Sequence, residues 1–121
     1  MEAPSILITG ASSGFGLLTA RLALSRGWKV AATARRPEAI PLKSAGGFLK
    51  LRLDVTERAA MDGAVEKAIA AFGALDAVVN NAGVANFGAA EEGSEDELRL
   101  EFDTNFFGAT ALTKTVLPHQ R

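Results

Sequence analysis

Thr9-Gly10-Ala11-Ser12-Ser13-Gly14-Phe15-Gly16 is the stretch on which the fold turns. The apolar run Ser5-Ile6-Leu7-Ile8 leads into it, and the helix-like Leu17-Leu18-Thr19-Ala20-Arg21-Leu22-Ala23-Leu24 follows. A short buried strand that turns through glycines into a helix N-terminus forms an anion cradle. Free backbone N–H groups and the positive end of the helix dipole point at one spot, and glycines let a diphosphate come close to the backbone. A nucleotide is therefore the first ligand this loop suggests. The glycines at 10, 14 and 16 are spaced G-x-x-x-G-x-G, which differs from the G-x-G-x-x-G dinucleotide fingerprint. Taken alone, that spacing also suits tight strand-to-helix packing.

Working outward, four strand-like segments fall at about 5–9, 29–34, 47–53 and 75–80. Helical periodicity fills 15–26 and 57–72, where Met61, Val65, Ile69 and Phe72 recur at helical spacing. Punctuation by Pro37, Pro41, Gly46 and Gly47 predicts a loop between the second and third strands, with at most a short helical turn. Such alternation implies a parallel sheet with right-handed crossovers. The expected architecture is an α/β, three-layer Rossmann-type doubly wound sheet of about four strands in the order 3-2-1-4.

The last predicted element is one long helix from Ser94 to about Leu117. Ser94 with Glu97 three residues on is a capping box, and Glu95, Asp96 and Glu97 sit where the helix dipole favours negative charge. Leu98, Phe102, Asn105, Ala109, Leu112 and Val116 read as one continuous face, with Asn105 its polar intruder. A buried amide without partners costs about 1–3 kcal/mol, so Asn105 must join a specific network or meet solvent in a cleft.

Composition narrows the function. At 121 residues and 48% hydrophobic content, the chain reads as a single globular domain over 1–121. Met1-Glu2-Ala3-Pro4 lacks a basic leader, and no apolar run reaches the ~18 residues of a membrane span. The expectation is a cytoplasmic protein with no membrane partner. With no cysteine and a single histidine, His119, neither thiolate chemistry nor a histidine-based metal site is expected. Charge is lopsided: residues 1–53 carry eight Lys or Arg against two acids, and residues 54–121 carry five against twelve. A basic half holding the glycine loop suits a polyanionic ligand, whereas the dispersed cations argue against nucleic acid.

Three further pieces fall in order along the chain: Asp54-Val55 after the third strand, Asn80-Asn81-Ala82-Gly83 after the fourth, and Asn105-Phe106-Phe107-Gly108 inside the last helix. In an open α/β sheet ligands bind beyond the carboxyl ends of the strands at the switch point, here between strands one and four. With these motifs together the sequence resembles the main branch of the short-chain dehydrogenase/reductase family. The resemblance implies that Gly10, Ser12, Ser13, Gly14, Phe15 and Gly16 hold the pyrophosphate and adenosine ribose of a nicotinamide cofactor. It implies that Asp54 and Val55 flank the adenine, and that Asn81, Ala82 and Gly83 line the path to the nicotinamide ribose. Asn80 would chiefly tie the central strands together. Asn105 would help hold a water and a lysine in a proton relay, the one catalytic residue of the family's set found here. Val84, Asn86 and Phe87 hint at an apolar wall and no more, and the resemblance implies a small alcohol or carbonyl as substrate.

The cofactor choice has a physical basis. An NAD site places an acid at the end of strand two to accept from the ribose 2′-hydroxyl, whereas a 2′-phosphate needs cations. Here that position reads Thr33-Ala34-Arg35-Arg36, with no acid before Glu38. The expectation is NADP(H), with Arg35 as main contact and Arg36 as helper.

The resemblance also demands a Tyr-x-x-x-Lys pair and an upstream serine, yet the chain contains no tyrosine. Thr110 and Lys114 share that spacing, but an unactivated hydroxyl is a poor acid near neutral pH. The chain therefore reads as roughly the first half of an oxidoreductase that moves hydride between nicotinamide and an alcohol or carbonyl, inactive by itself. A nucleotide-binding module without chemistry and an inert fragment are the two other readings. An unpaired fourth strand, Ala77-Val78-Val79, and the helix over 94–117 are the surfaces where self-association is expected.

Overall fold

The computed structural model describes residues 3–43, 46–84 and 88–120. Strands β1 (Ser5–Ile8), β2 (Lys29–Ala34), β3 (Phe48–Arg52) and β4 (Ala77–Val79) form one parallel sheet. Helix α1 (Gly14–Ser25) follows β1 and α2 (Arg58–Phe72) follows β3. After β4 the chain enters α3 (Glu95–Phe102), a π-helical turn (Asp103–Gly108) and α4 (Ala109–Gln120). The strand order is β3-β2-β1-β4, as the alternation of apolar and helical segments predicts. A single helical turn, Pro37–Ala39, interrupts the loop between β2 and β3.

Both faces of the sheet are covered, which is why β1 and β2 read as near-continuous buried runs rather than alternating ones. Leu7 and Ala31 point to one side, into a cluster with Met61, Val65, Leu112 and Val116 from α2 and α4. Ile6, Ile8, Val30 and Ala32 point to the other, with Ala20 of α1 and Ile40 of the β2–β3 loop. The amino end is tied by Asp76, whose carboxylate accepts from the Ser5 amide (2.8 Å) and hydroxyl (3.2 Å). Strand β4 pairs with β1 and is only half-buried, so among the described residues its outer edge has no strand neighbour. No helix is long and apolar enough to cross a membrane among the described residues.

The long helix departs from its expected form. It is capped as predicted, the Glu97 amide donating to Ser94 Oγ at 3.1 Å. However, its buried face runs Thr104, Gly108, Leu112, Val116, not through Asn105 and Ala109. Leu98 and Phe102, placed on the inner face by the sequence pattern, are 54% exposed. The π turn explains the difference. Steps of four drift around an ideal α-helix, and one wide turn counteracts that drift, so a run of fours stays against the core. Nor does the helix stop at Leu117: it continues to Gln120 with Pro118 in its last turn, and the Gln120 side chain donates to the Leu75 carbonyl (3.3 Å).

Candidate functional site

A cleft of about 370 Å³ opens at the carboxyl ends of the strands, across the switch point between β1 and β4. Gly10, Ser12, Ser13, Gly14 and Phe15 line one side. Ala34 at the end of β2 and Arg35 after it, Leu53 through Thr56 beyond β3, and Asn81 through Val84 beyond β4 make the floor and the far wall. Leu100 and Thr104 reach in from the long helix.

The glycine loop takes the shape its sequence demands. Gly10 and Gly14 have φ of 62° and 55°, a region other residues enter at a cost. Ser13 is the N-cap of α1 in extended conformation, but its side chain makes no capping bond. The first turn of α1 holds no acid, so its amides and the positive end of the dipole face the cleft uncompensated. A Cβ on Gly14 would meet nothing within 4 Å, leaving the approach to those amides open. Gly16 does a different job. It is buried, and a Cβ there would run into the Gly10 carbonyl and lie 2.5 Å from Asn81 Nδ2. Gly16 therefore lets α1 close onto the loop and does not itself line the cleft.

The loops after β1 and β4 are stitched together. The buried Thr9 hydroxyl accepts from the amides of Asn81 (3.0 Å) and Ala82 (2.9 Å), and Asn81 Nδ2 donates to the Gly10 carbonyl (3.1 Å). Thr33 Oγ1 donates to the Ile8 carbonyl (3.1 Å) and the Ala11 amide to the Thr33 carbonyl (2.9 Å), which ties the same loop to β2. The sequence motif gives Thr9 no role; its place as the polar residue directly after the buried run of β1 is the signal that marks it.

Asn105 reaches the site through the loop after β4. Its Oδ1 accepts from the Val84 amide (2.8 Å) and its Nδ2 donates to the Val84 carbonyl (2.7 Å). The side chain stands on the exposed side of the helix, and both of its polar ends are engaged by backbone. Gly108, four residues from the buried Thr104, is needed for close approach: a Cβ would lie 2.8 Å from Val55 Cγ2 and 2.9 Å from the Val55 carbonyl oxygen. Asn80, expected to brace the central strands, instead donates to Thr113 Oγ1 of α4 at 3.1 Å. Residues Asn86 and Phe87 lie outside the described residues.

Beyond β3, Asp54 caps its own turn, accepting from the Thr56 amide (2.9 Å) and hydroxyl (2.6 Å). Partial burial pushes the Asp54 carboxyl up, but the Thr56 hydrogen bonds and the charges of Arg35 and Arg52 outweigh it and hold the carboxyl below its ordinary value. Arg58 donates to the Val55 carbonyl from the first turn of α2. Arg35 lines the cleft and has no ion-pair partner among the described residues, while Arg36 is exposed and does not line it. Of the sequence-predicted residues, Gly16, Arg36 and Asn105 do not line the cleft, and Ala34, Leu53, Thr56, Leu100 and Thr104 join it unannounced. Among the described residues no group of acids and histidines could hold a metal ion.

Residues 4–121 match a family model described as short chain dehydrogenase. The chain is 40% identical to a 3-ketodihydrosphingosine reductase of Bacteroides thetaiotaomicron over its whole length, covering 44% of that protein. Among solved structures it is similar to a short-chain dehydrogenase from Streptomyces avermitilis, with 41% identity and a TM-score of 0.90 over 97% of this chain and 44% of that one. A 3-ketoacyl-(acyl-carrier-protein) reductase from Brucella melitensis, solved with NADH, gives 32% identity and a TM-score of 0.91 over 98% of this chain and 50% of that one. The chain thus spans less than half the length of the curated relative and about half or less of the two structures.

Proposed function

Because the chain belongs to the short-chain dehydrogenase family, we propose that its cleft binds NADP(H), as the cofactor-holding part of an oxidoreductase acting on an alcohol or carbonyl. Arg35 carries the choice of cofactor. It follows β2 directly and lines the cleft, and no acid stands between Glu2 and Glu38. A carboxylate at that point would repel a ribose 2′-phosphate, whereas a guanidinium grips it through two charge-assisted hydrogen bonds. The Brucella neighbour was solved with NADH, so the family frame alone leaves the nucleotide open, and the local charge is what favours NADP(H).

The residues fit such a cofactor. The first turn of α1, with the open approach over Gly14, binds the diphosphate, and Asp54 and Val55 receive the adenine. Asn81 and Ala82, held by Thr9, and Gly83 after them line the way toward the nicotinamide ribose. Bound nicotinamide supplies the hydride chemistry at its ring carbon. Asn105 fixes Val84 and so shapes the loop along which the substrate side begins.

No tyrosine stands among these 121 residues, which favours a second reading: binding without turnover. Titration with NADPH and NADH, followed by an assay for alcohol oxidation and carbonyl reduction, separates the two. Tighter binding of NADPH than NADH, lost in Arg35→Ala, is the expected outcome; an unchanged ratio in that variant removes the assignment. Turnover by these residues alone would remove the second reading.

A further inference from the structure

We propose that Arg52 is the second cation of the ribose 2′-phosphate pocket and that Glu57 competes with that phosphate for its guanidinium. The inference rests on the NADP(H) reading above and replaces Arg36 as the helper of Arg35. Sheet register places Arg52 there. It ends β3 as the aligned partner of Ala34, the cleft residue immediately before Arg35. Residues alternate faces along a strand: Leu49 and Leu51 pack toward α2, whereas Phe48, Lys50 and Arg52 share the face of Ala32 and Ala34. Lys50, one step earlier on that face, is committed to the Ile40 carbonyl at 2.8 Å. Arg52 is therefore the next cation of that face, at the end of β3 opposite the residue that precedes Arg35.

The pair that holds Arg52 is built to be exchanged. Its two guanidinium nitrogens donate to the two Glu57 oxygens at 2.9 and 3.0 Å, but the side chains are 53% and 47% exposed. An exposed pair is screened by water and salt and is weak, whereas a phosphate dianion bound between two guanidinium groups gains bidentate, charge-assisted bonds. Both arginines bear on one small region, since the charges of Arg35 and Arg52 together help hold the Asp54 carboxyl down. Neither Arg36 nor Arg52 lines the cleft wall, but Arg36 is not among the charges that act on Asp54 at its edge.

The test uses this chain with two probes that differ by one phosphate, adenosine 2′,5′-bisphosphate and 5′-AMP, followed by calorimetry. Arg52→Gln weakens the bisphosphate by roughly fivefold and leaves 5′-AMP unchanged. Glu57→Gln frees Arg52 and tightens the bisphosphate alone by about two- to threefold. This second variant keeps the proposal open to failure if the first does not fold, and thermal unfolding of each checks the fold. Equal changes for both probes, or no change in either variant, overturn the role of Arg52. If Arg35→Ala weakens the bisphosphate selectively while the Arg52 and Glu57 variants do not, only this proposal falls. If Arg35→Ala is silent as well, or the chain binds neither probe, the cofactor reading falls with it.

Discussion

Two walls of the same cleft are built in opposite ways. The wall made by the loops after β1 and β4 is specified by backbone: positive φ at Gly10 and Gly14, a missing Cβ at Gly16, and amides pinned by the buried Thr9 hydroxyl. The wall made by the helix from Glu95 to Gln120 is specified by what it packs against, with Gly108 pressed on Val55 and Asn105 bonded to Val84 across a π turn. The first wall has few ways to relax and the second has several. Substitutions in the first should therefore cost more, and should be felt at the sheet as well as at the site.

Gly16→Ala tests the stiff wall most severely. The added methyl meets the Gly10 carbonyl, which is backbone and cannot swing aside, so α1 must shift off the loop. A loss of about 3 kcal/mol in denaturant unfolding is expected, at the upper end of overpacking costs. Gly14→Ala, where space is open and only φ is strained, should cost less, about 1 kcal/mol. If the two cost the same, close packing is not what Gly16 supplies.

Thr9→Val comes next. It keeps the shape but leaves the Ala82 amide without a partner among the described residues, and the Asn81 amide with only the Val79 carbonyl. The expected loss is about 2 kcal/mol, accompanied by weaker nucleotide binding, and Thr9→Ser should restore most of both. A Ser variant as poor as Val would mean the methyl, and not the hydroxyl, holds the two loops.

Asn105→Ala probes the compliant wall. Two hydrogen bonds to Val84 are lost, but donor and acceptor lie near solvent, so water replaces part of them and about 1 kcal/mol is expected. Amide exchange at Val84 should rise while exchange in β1 and β2 stays put. Faster exchange throughout the sheet would show that the helix and the glycine loop are one cooperative unit.

This contrast also explains what was legible in the residues. The strand order, the glycine loop and the loops after β3 and β4 came through because local pattern and glycine chemistry dictate them within a few positions. The π turn did not, because Leu98, Phe102, Asn105 and Ala109 make a better α-helical stripe than Thr104 and Gly108 do. The deciding term is tertiary: the helix closes on Val55 at Gly108, where a Cβ would not fit, and Leu98 and Phe102 are left outward. The role proposed for Arg52 is illegible for a similar reason, since its place opposite Ala34 depends on β2–β3 register and no motif carries it.

Asp54 gives the smallest effect and the one that joins the two walls, because its turn carries Val55 beneath Gly108. Its carboxyl is held below the ordinary value in the folded chain, so the stabilisation is full above the unfolded carboxylate range. It is lost as pH falls through that range toward the folded value. The group is largely solvated, and screening keeps the contribution small. Asp54→Asn should therefore flatten the acid limb slightly by giving up that small stabilisation at neutral pH, the Asn carbonyl still accepting from the Thr56 amide. An acid limb of unchanged slope would assign it to other carboxylates, with Glu57, lowered by its hydrogen bonds to Arg52, the next to test.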